Sequence, residues 1–310
     1  AFRTLWAWHD KDPEPVLDRA LRARFPDLRL RAVAELESRA KDEKSAARPA
    51  ALERLGKTIA DRDVAVGTAA YEASVRLRGK KDPEPHLAAL GSTHGALREK
   101  GARGAEQVGA EGAARVADAL KKQLADENEG ARTAALEALD KLLPGEAGYF
   151  QTALTGAHLD LRVRAAELIA ARREERSYDG AMEAMRALIA DEDLKHRYAA
   201  PVLLRWRQRA ATALASLGSP RLMKYFATEL LKHEDGLVRE QAARGMATAA
   251  RPGATDEGYL LDALGHGEVW VRSWAADGLS RLGDARALPD APRTLPLRAG
   301  LVPAHHHDRV

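Results

Sequence analysis

An apolar residue followed at once by arginine, with alanine four positions after the apolar one, keeps returning along this 310-residue chain. Val271-Arg272 is followed by Ala275, Leu279, Leu282 and Gly283, and Trp206-Arg207 by Ala210, Leu214, Leu217 and Gly218. Val238-Arg239 has Ala242 and Met246, Ala131-Arg132 has Ala135, Leu139 and Leu142, Leu161-Arg162 has Ala165 and Ile169, and Leu28-Arg29 has Ala32 and Leu36. These offsets put the apolar set on one face of a helix, and the glycine supplies a left-handed stop. The anchors stand at 28, 131, 161, 206, 238 and 271, with steps of 30, 32 and 33 among them. The gap from 28 to 131 has room for two weaker units, at Val66-Gly67 and Leu97-Arg98. A period in the low thirties holds two antiparallel helices and two turns, which predicts an all-α solenoid of about eight helical hairpins.

Each anchored helix is preceded by a second amphipathic segment, such as 15–21, 114–120 and 222–227. The string Lys11-Asp12-Pro13-Glu14-Pro15 recurs letter for letter as Lys81-Asp82-Pro83-Glu84-Pro85. Aspartate can cap a helix, proline at the first helical position loses no needed donor, and glutamate favours the positive helix end. Asp12 lies 16 residues before Leu28 and Asp82 lies 15 before Leu97, so the string marks the start of the first helix in two units. Apolar residues reach 45% while aromatics are only 5%, a balance that suits closely packed helices rather than sheets.

The strings Leu282-Gly283-Asp284-Ala285-Arg286-Ala287-Leu288-Pro289 and Leu217-Gly218-Ser219-Pro220-Arg221-Leu222 resemble the inter-repeat turn of bacterial HEAT repeats, the short kind also called PBS-lyase HEAT-like repeats. The apolar-Arg-x-x-Ala pattern is similar to the second helix of the same family. The likeness spans roughly residues 10–290, and departs from the pattern at Gly67 and over 91–112, where six glycines predict interrupted helices. The resemblance implies a right-handed α-solenoid whose second helices line a concave face. It also implies repeat-stacking roles for Arg29, Arg98, Arg132, Arg162, Arg207, Arg239 and Arg272.

The division expected is a solenoid over 11–288, with an insertion near 191–202, and a proline-rich C-terminal tail over 289–310. Phe2-Arg3 and Trp6 make residues 1–10 the remnant of a preceding repeat, and the opening without Met fits a processed or trimmed chain. Lys and Arg (49) nearly cancel Asp and Glu (46), leaving +3, so no basic track for nucleic acid is apparent. The absence of cysteine excludes disulfides and thiolate zinc sites. There is no apolar run long enough to span a bilayer and no secretory n-region, which reads as a cytoplasmic protein away from membranes.

Departures from the repeat are where function is sought. The step from 161 to 206 is too long, and the excess falls at 191–202, which places His196, Arg197 and Tyr198 on an insertion. Arg205-Trp206-Arg207-Gln208-Arg209 follows, with Arg205 and Arg209 sharing a helical face and Trp206 pointing toward the core. Trp270, Trp274, Asp277 and Arg281 are spaced 4, 3 and 4, on a flank away from the core stripe 271-275-279-282. Such an aromatic pair can anchor a partner or be covered by the neighbouring repeat or the tail. HEAT-like DNA glycosylases use aromatic residues with a carboxylate, and Trp270, Trp274 and Asp277 are similar in kind, but no specific motif matches. A bilin lyase is suggested by the family's name alone. No phosphate loop, H-E-x-x-H or G-x-S-x-G is present, and the contiguous His305-His306-His307 on the tail do not make a preorganised metal site. The chain therefore reads as a non-catalytic scaffold that binds another protein on the concave or edge surface and needs no cofactor or metal. Nucleic-acid binding is the disfavoured alternative.

Overall fold

The structure, a computed structural model, describes residues 14–251 and 256–283. The first three residues of the upstream Lys-Asp-Pro-Glu-Pro string, the segment 1–10, the tail 289–310 with its histidines, and most of the 282–289 turn string lie outside the described residues. Eight helical hairpins follow one another. They are α1 (Glu14–Leu21) with α2 (Pro26–Ala40), α3 (Arg48–Thr58) with α4 (Val64–Arg78), α5 (Pro83–Leu90) with α6 (Gly95–Ala105), and α7 (Ala110–Gln123) with α8 (Glu129–Leu142). The fifth pairs α9 (Gly148–Thr155) with α10 (Leu159–Arg172). In the sixth, the one-turn helix α12 (Leu194–Arg197) stands between α11 (Tyr178–Ala190) and α13 (Ala200–Leu217). Then come α14 (Met223–Thr228) with α15 (Gly236–Ala249), and α16 (Glu257–Leu264) with α17 (Val269–Leu282). No strand occurs among the described residues.

The chain divides into two compact units at Ala213 and Leu214, inside α13. In the first unit, one core runs through three hairpins, from Leu17, Val33 and Leu36 through Leu55, Ile59 and Val66 to Leu97. Burial of such side chains contributes about 1.5–3 kcal/mol each. In the second unit, α15 packs on both α14 and α17 around Phe226, Met246 and Leu279, all with no measurable exposure. The anchors Val66, Leu97, Ala131, Leu161, Val238 and Val271 are all at most 1% exposed. Leu28 and Trp206 depart from this rule and are half-buried.

Local chemistry sets the helix ends. Asp63 accepts from the N–H groups of Ala65 and Val66, Asn128 from Ala131, and Asp235 from Val238, each closing the N-terminus of a second helix. Asp82 of the downstream Lys-Asp-Pro-Glu-Pro string accepts from Glu84 N–H, with Pro83 as the first residue of α5. Gly218 and Gly283 adopt left-handed φ values of 58° and 76° after α13 and α17.

The glycines of 91–112 do not interrupt the helices as expected. Helix α6 runs through Gly95, Gly101 and Gly104, and its irregularity is only its length, 11 residues against 14 in α8. A Cβ on Gly104 would lie 2.2 Å from Tyr71 Oη and 2.5 Å from His86 Nδ1. The glycine is therefore a packing requirement that outweighs its poor helix propensity. Above it lies a buried polar group. The His86 Nε2–H donates to the Lys80 carbonyl at 3.0 Å, so its Nδ1 is the acceptor for the Tyr71 O–H, also at 3.0 Å. Burial pushes the Tyr71 hydroxyl up to about 12 and lowers the His86 imidazole below its ordinary range, against the Lys80 hydrogen bond and the Asp82 charge.

Candidate interaction surface

The recurring arginines come first, because a guanidinium repeated in most hairpins could in principle line a ligand surface. Arg132 is the fourth residue of α8, and its side chain reaches back over the turn that precedes the helix. One Nη donates to the carbonyls of Asp126 and Glu127 at 3.1 and 3.0 Å. Nε and the other Nη grip both oxygens of Asp160, in the next hairpin, at 2.6 and 2.8 Å. Both side chains of this pair are only 9% exposed. Arg29 repeats the arrangement with the carbonyls of Ala23 and Arg24 and the carboxylate of Asp61, at 2.7 to 3.1 Å. Arg98 does so with Ser92, Thr93 and Asp126, and Arg239 with His233, Glu234 and Glu268. Each guanidinium thus satisfies turn carbonyls that have no helical partner, and also bridges to the following hairpin.

The electrostatics follow this geometry. Burial alone would raise the Asp126 carboxyl, but the hydrogen bonds from Arg98 and the Asn128 N–H hold it below its usual range. The hydrogen bond from Arg239 does the same for Glu268. Gly67 replaces the arginine in the second hairpin, and a Cβ there would stand 2.7 Å from the Ile59 carbonyl oxygen. The link is made from the other side, by His94 Nε2–H donating to the Asp61 carbonyl at 3.0 Å. Among the described residues Arg162 and Arg272 have no carboxylate partner. Arg162 holds the Gly156 carbonyl at 2.6 Å, and Arg272 those of His266 and Gly267 at 2.8 and 3.0 Å.

The residues singled out from sequence sort unevenly. Arg207 is buried and donates to the Asp191 carbonyl at 2.9 Å, with Glu192 at 3.6 Å. Arg209 grips both oxygens of Glu167 in α10 at 2.9 Å and lies 4.9 Å from the Trp206 ring centroid. Trp206 is thus half-buried beneath a guanidinium and not in the core. Arg205 is exposed on α13. His196 and Arg197 are exposed on α12, where the Arg197 guanidinium lies 6.0 Å from the ring of half-buried Tyr198. A cluster with two of its three arginines committed to protein groups is a poor phosphate grip.

Helix α17 brings four candidates onto one flank. Trp270 is 58% exposed, Trp274 is half-buried, and Asp277 pairs with Arg281 at 2.8 Å within the helix. Sequence reasoning missed two further exposed apolar residues. Val269 precedes Trp270 in α17, and Leu237, 52% exposed, takes the same register on α15, the second residue of the helix. The readable signal was an apolar residue directly before the anchor, in Leu237-Val238 and Trp270-Val271. Adjacent helical residues lie about 100° apart, so both cannot enter one core stripe. No group of three or more metal-ligating side chains occurs among the described residues, and no described helix is long and apolar enough to cross a membrane.

Comparison with known proteins adds the following. Residues 225–291 match the family model of HEAT repeats. No curated protein matches the chain. Among solved structures, an engineered protein is 20% identical over 89% of this chain and 80% of that one, with a TM-score of 0.47. A designed armadillo repeat protein in complex with the peptide (KR)4 is 13% identical over 84% of this chain and 100% of that one, with a TM-score of 0.27. Such scores are too low to bear on function. The eight hairpins, the recurring arginine clamp and the matched segment together make this a chain of HEAT-like helical repeats.

Proposed function

We propose that the chain is a protein-binding scaffold whose second unit carries a principal contact surface. The observation behind this reading is the exposure of Trp270 together with Val269 and Leu237, at the starts of two second helices that pack on one another. Large aromatic side chains on rigid helices bind partners at low entropic cost, and a tryptophan ringed by smaller apolar groups is a common centre of binding energy.

The test compares the native chain with Trp270→Ala combined with Leu237→Ala, as baits in a lysate of the native source. The reading expects a defined set of proteins retained by the native chain and lost from the variant, with helical circular dichroism unchanged. An identical set on both baits, with both folded, removes this surface from consideration.

A further inference from the structure

We propose that the first unit binds a small neutral aliphatic amide in a groove between α3 and α5, with Ser74 of α4 as the group that recognises it. The inference is independent of partner capture by Trp270, which concerns the other unit.

The groove has a volume of about 290 Å³ and is lined by residues of α3, α4 and α5. Helical spacing builds it. Leu52 and Gly56 stand one turn apart on α3, Ser74 and Arg78 on α4, and Glu84 and Ala88 on α5. Leu52, Pro85 and Ala88 supply its apolar walls.

Two observations point from this groove to a ligand. The first is Ser74, which lines it and is 1% exposed. A hydroxyl inside a helix commonly donates to the carbonyl four residues back, as those of Thr58, Thr155 and Thr248 do at 2.8 to 2.9 Å. The Ser74 hydroxyl makes no such bond and has no hydrogen-bond partner among the described residues. Leaving a buried hydroxyl unpaired is costly, so the position favours a group that completes it. Rotation about its single side-chain bond turns the oxygen toward a group seated in the groove. The second is Gly56, inside α3. A Cβ on Gly67, Gly101, Gly104 or Gly112 would come within 2.8 Å of a neighbour, so packing demands those glycines. A Cβ on Gly56 would meet nothing within 4 Å. Its poor helix propensity is offset by no contact, and what it provides is open space in the groove wall.

The lining selects the ligand. Its charged groups are already matched, Lys57 with Glu53 at 2.7 Å, Arg78 with Asp82 at 3.3 Å, and Glu84 with Arg115 at 2.8 Å. A charged ligand must leave water and compete with these pairs, whereas a neutral one disturbs none of them. The Ser74 hydroxyl both donates and accepts, and a carboxamide offers it a carbonyl and an N–H on one small group. The apolar walls suit a short aliphatic body. A volume near the lower end for ligand pockets limits the molecule to a few heavy atoms.

Titration of the full chain with isobutyramide, followed by NMR of labelled Leu and Ala methyl groups, tests this. The Leu52 and Ala88 methyls should shift saturably, with a Kd in the millimolar range or tighter. Ser74→Ala should weaken binding by about tenfold. Gly56→Leu, which fills the groove and favours the helix, should abolish it with helical circular dichroism unchanged. Isobutyrate, of the same shape but charged, should bind about tenfold more weakly. With no ligand added, Ser74→Ala should keep or raise the chemical denaturation midpoint, because it removes an unpaired group. The absence of a saturable shift would overturn the proposal, since solvent or the chain itself then satisfies Ser74. Shifts spread over distant methyls would overturn it as adventitious binding only. Equal affinity in Ser74→Ala, equal affinity for isobutyrate, or binding that survives Gly56→Leu would do the same. A lowered midpoint in Ser74→Ala would show the hydroxyl already paired, and would overturn it too.

Discussion

The junction between the fourth and fifth hairpins and that between the second and third solve one stacking problem by different physics. At the former, Arg132 with Asp160 and Arg164 with Glu137 carry the contact as charged pairs. At the latter, Gly67 leaves no guanidinium, and the join rests on His94 against the Asp61 carbonyl, Tyr71 against His86, and helices brought close by Gly104. The Lys100–Glu72 pair is also present there, but both side chains are more than two-fifths exposed and screened by water. One junction is thus held by buried ions and the other mainly by neutral hydrogen bonds and close fit. Repeats of one pattern need not share one mode of cohesion.

The difference is open to measurement. Arg132→Ala should be the most damaging change, because it strands the Asp160 carboxylate in a site that is nearly closed to water. Breaking such a pair costs about 3–5 kcal/mol, read as a fall in the chemical denaturation midpoint. Gly104→Ala strikes the other junction by crowding rather than by charge. With Tyr71 Oη and His86 Nδ1 in the way, it should cost about 1–3 kcal/mol and disrupt the hydrogen bond above it. The cost is read from the chemical denaturation midpoint, as for Arg132→Ala. An outcome no worse than an alanine placed at open Gly56 would show that this junction is looser than its geometry.

The smallest effect separates the junctions by pH. Folding lowers the His86 pKa, so the unfolded chain takes up a proton near its ordinary value of about 6.5 while the folded chain resists it. The unfolded state then binds more protons, and stability falls as pH drops through that region. Carboxylates lowered by arginine partners, such as Asp126, lose their contribution only at more acid pH. Denaturation midpoints between neutral pH and mild acid should therefore decline in the native chain and flatten in His86→Gln. Equal slopes in the two would contradict the assignment.

Much of this was legible in the sequence, and the part that was not has a physical reason. The anchors 131, 238 and 271 were readable because an arginine bound to carbonyls five and six residues back must keep a fixed local spacing, and 161 because Arg162 keeps the bond six back. The carboxylate partner of a clamped arginine crosses to another hairpin and has no such constraint. Asp126 lies in a turn, Glu268 directly before a helix, and Asp160 inside one, so no offset announces them. Gly101 and Gly104 misled because propensity treats glycine as a breaker, whereas tertiary contact selected it for lack of a side chain. Among the site candidates, Arg209 looked available and is committed to Glu167. Leu237, exposed beside the buried anchor Val238, was not singled out at all.

The arginine clamp also has an order in time. In Arg29 with Asp61, Arg98 with Asp126, Arg132 with Asp160 and Arg239 with Glu268, the base precedes the acid in the chain. Each guanidinium closes a loop of five or six residues to its own turn and one of 28 to 32 residues to its acid. The shorter closure costs less chain entropy, so the socket is completed within one hairpin before the next is fastened to it.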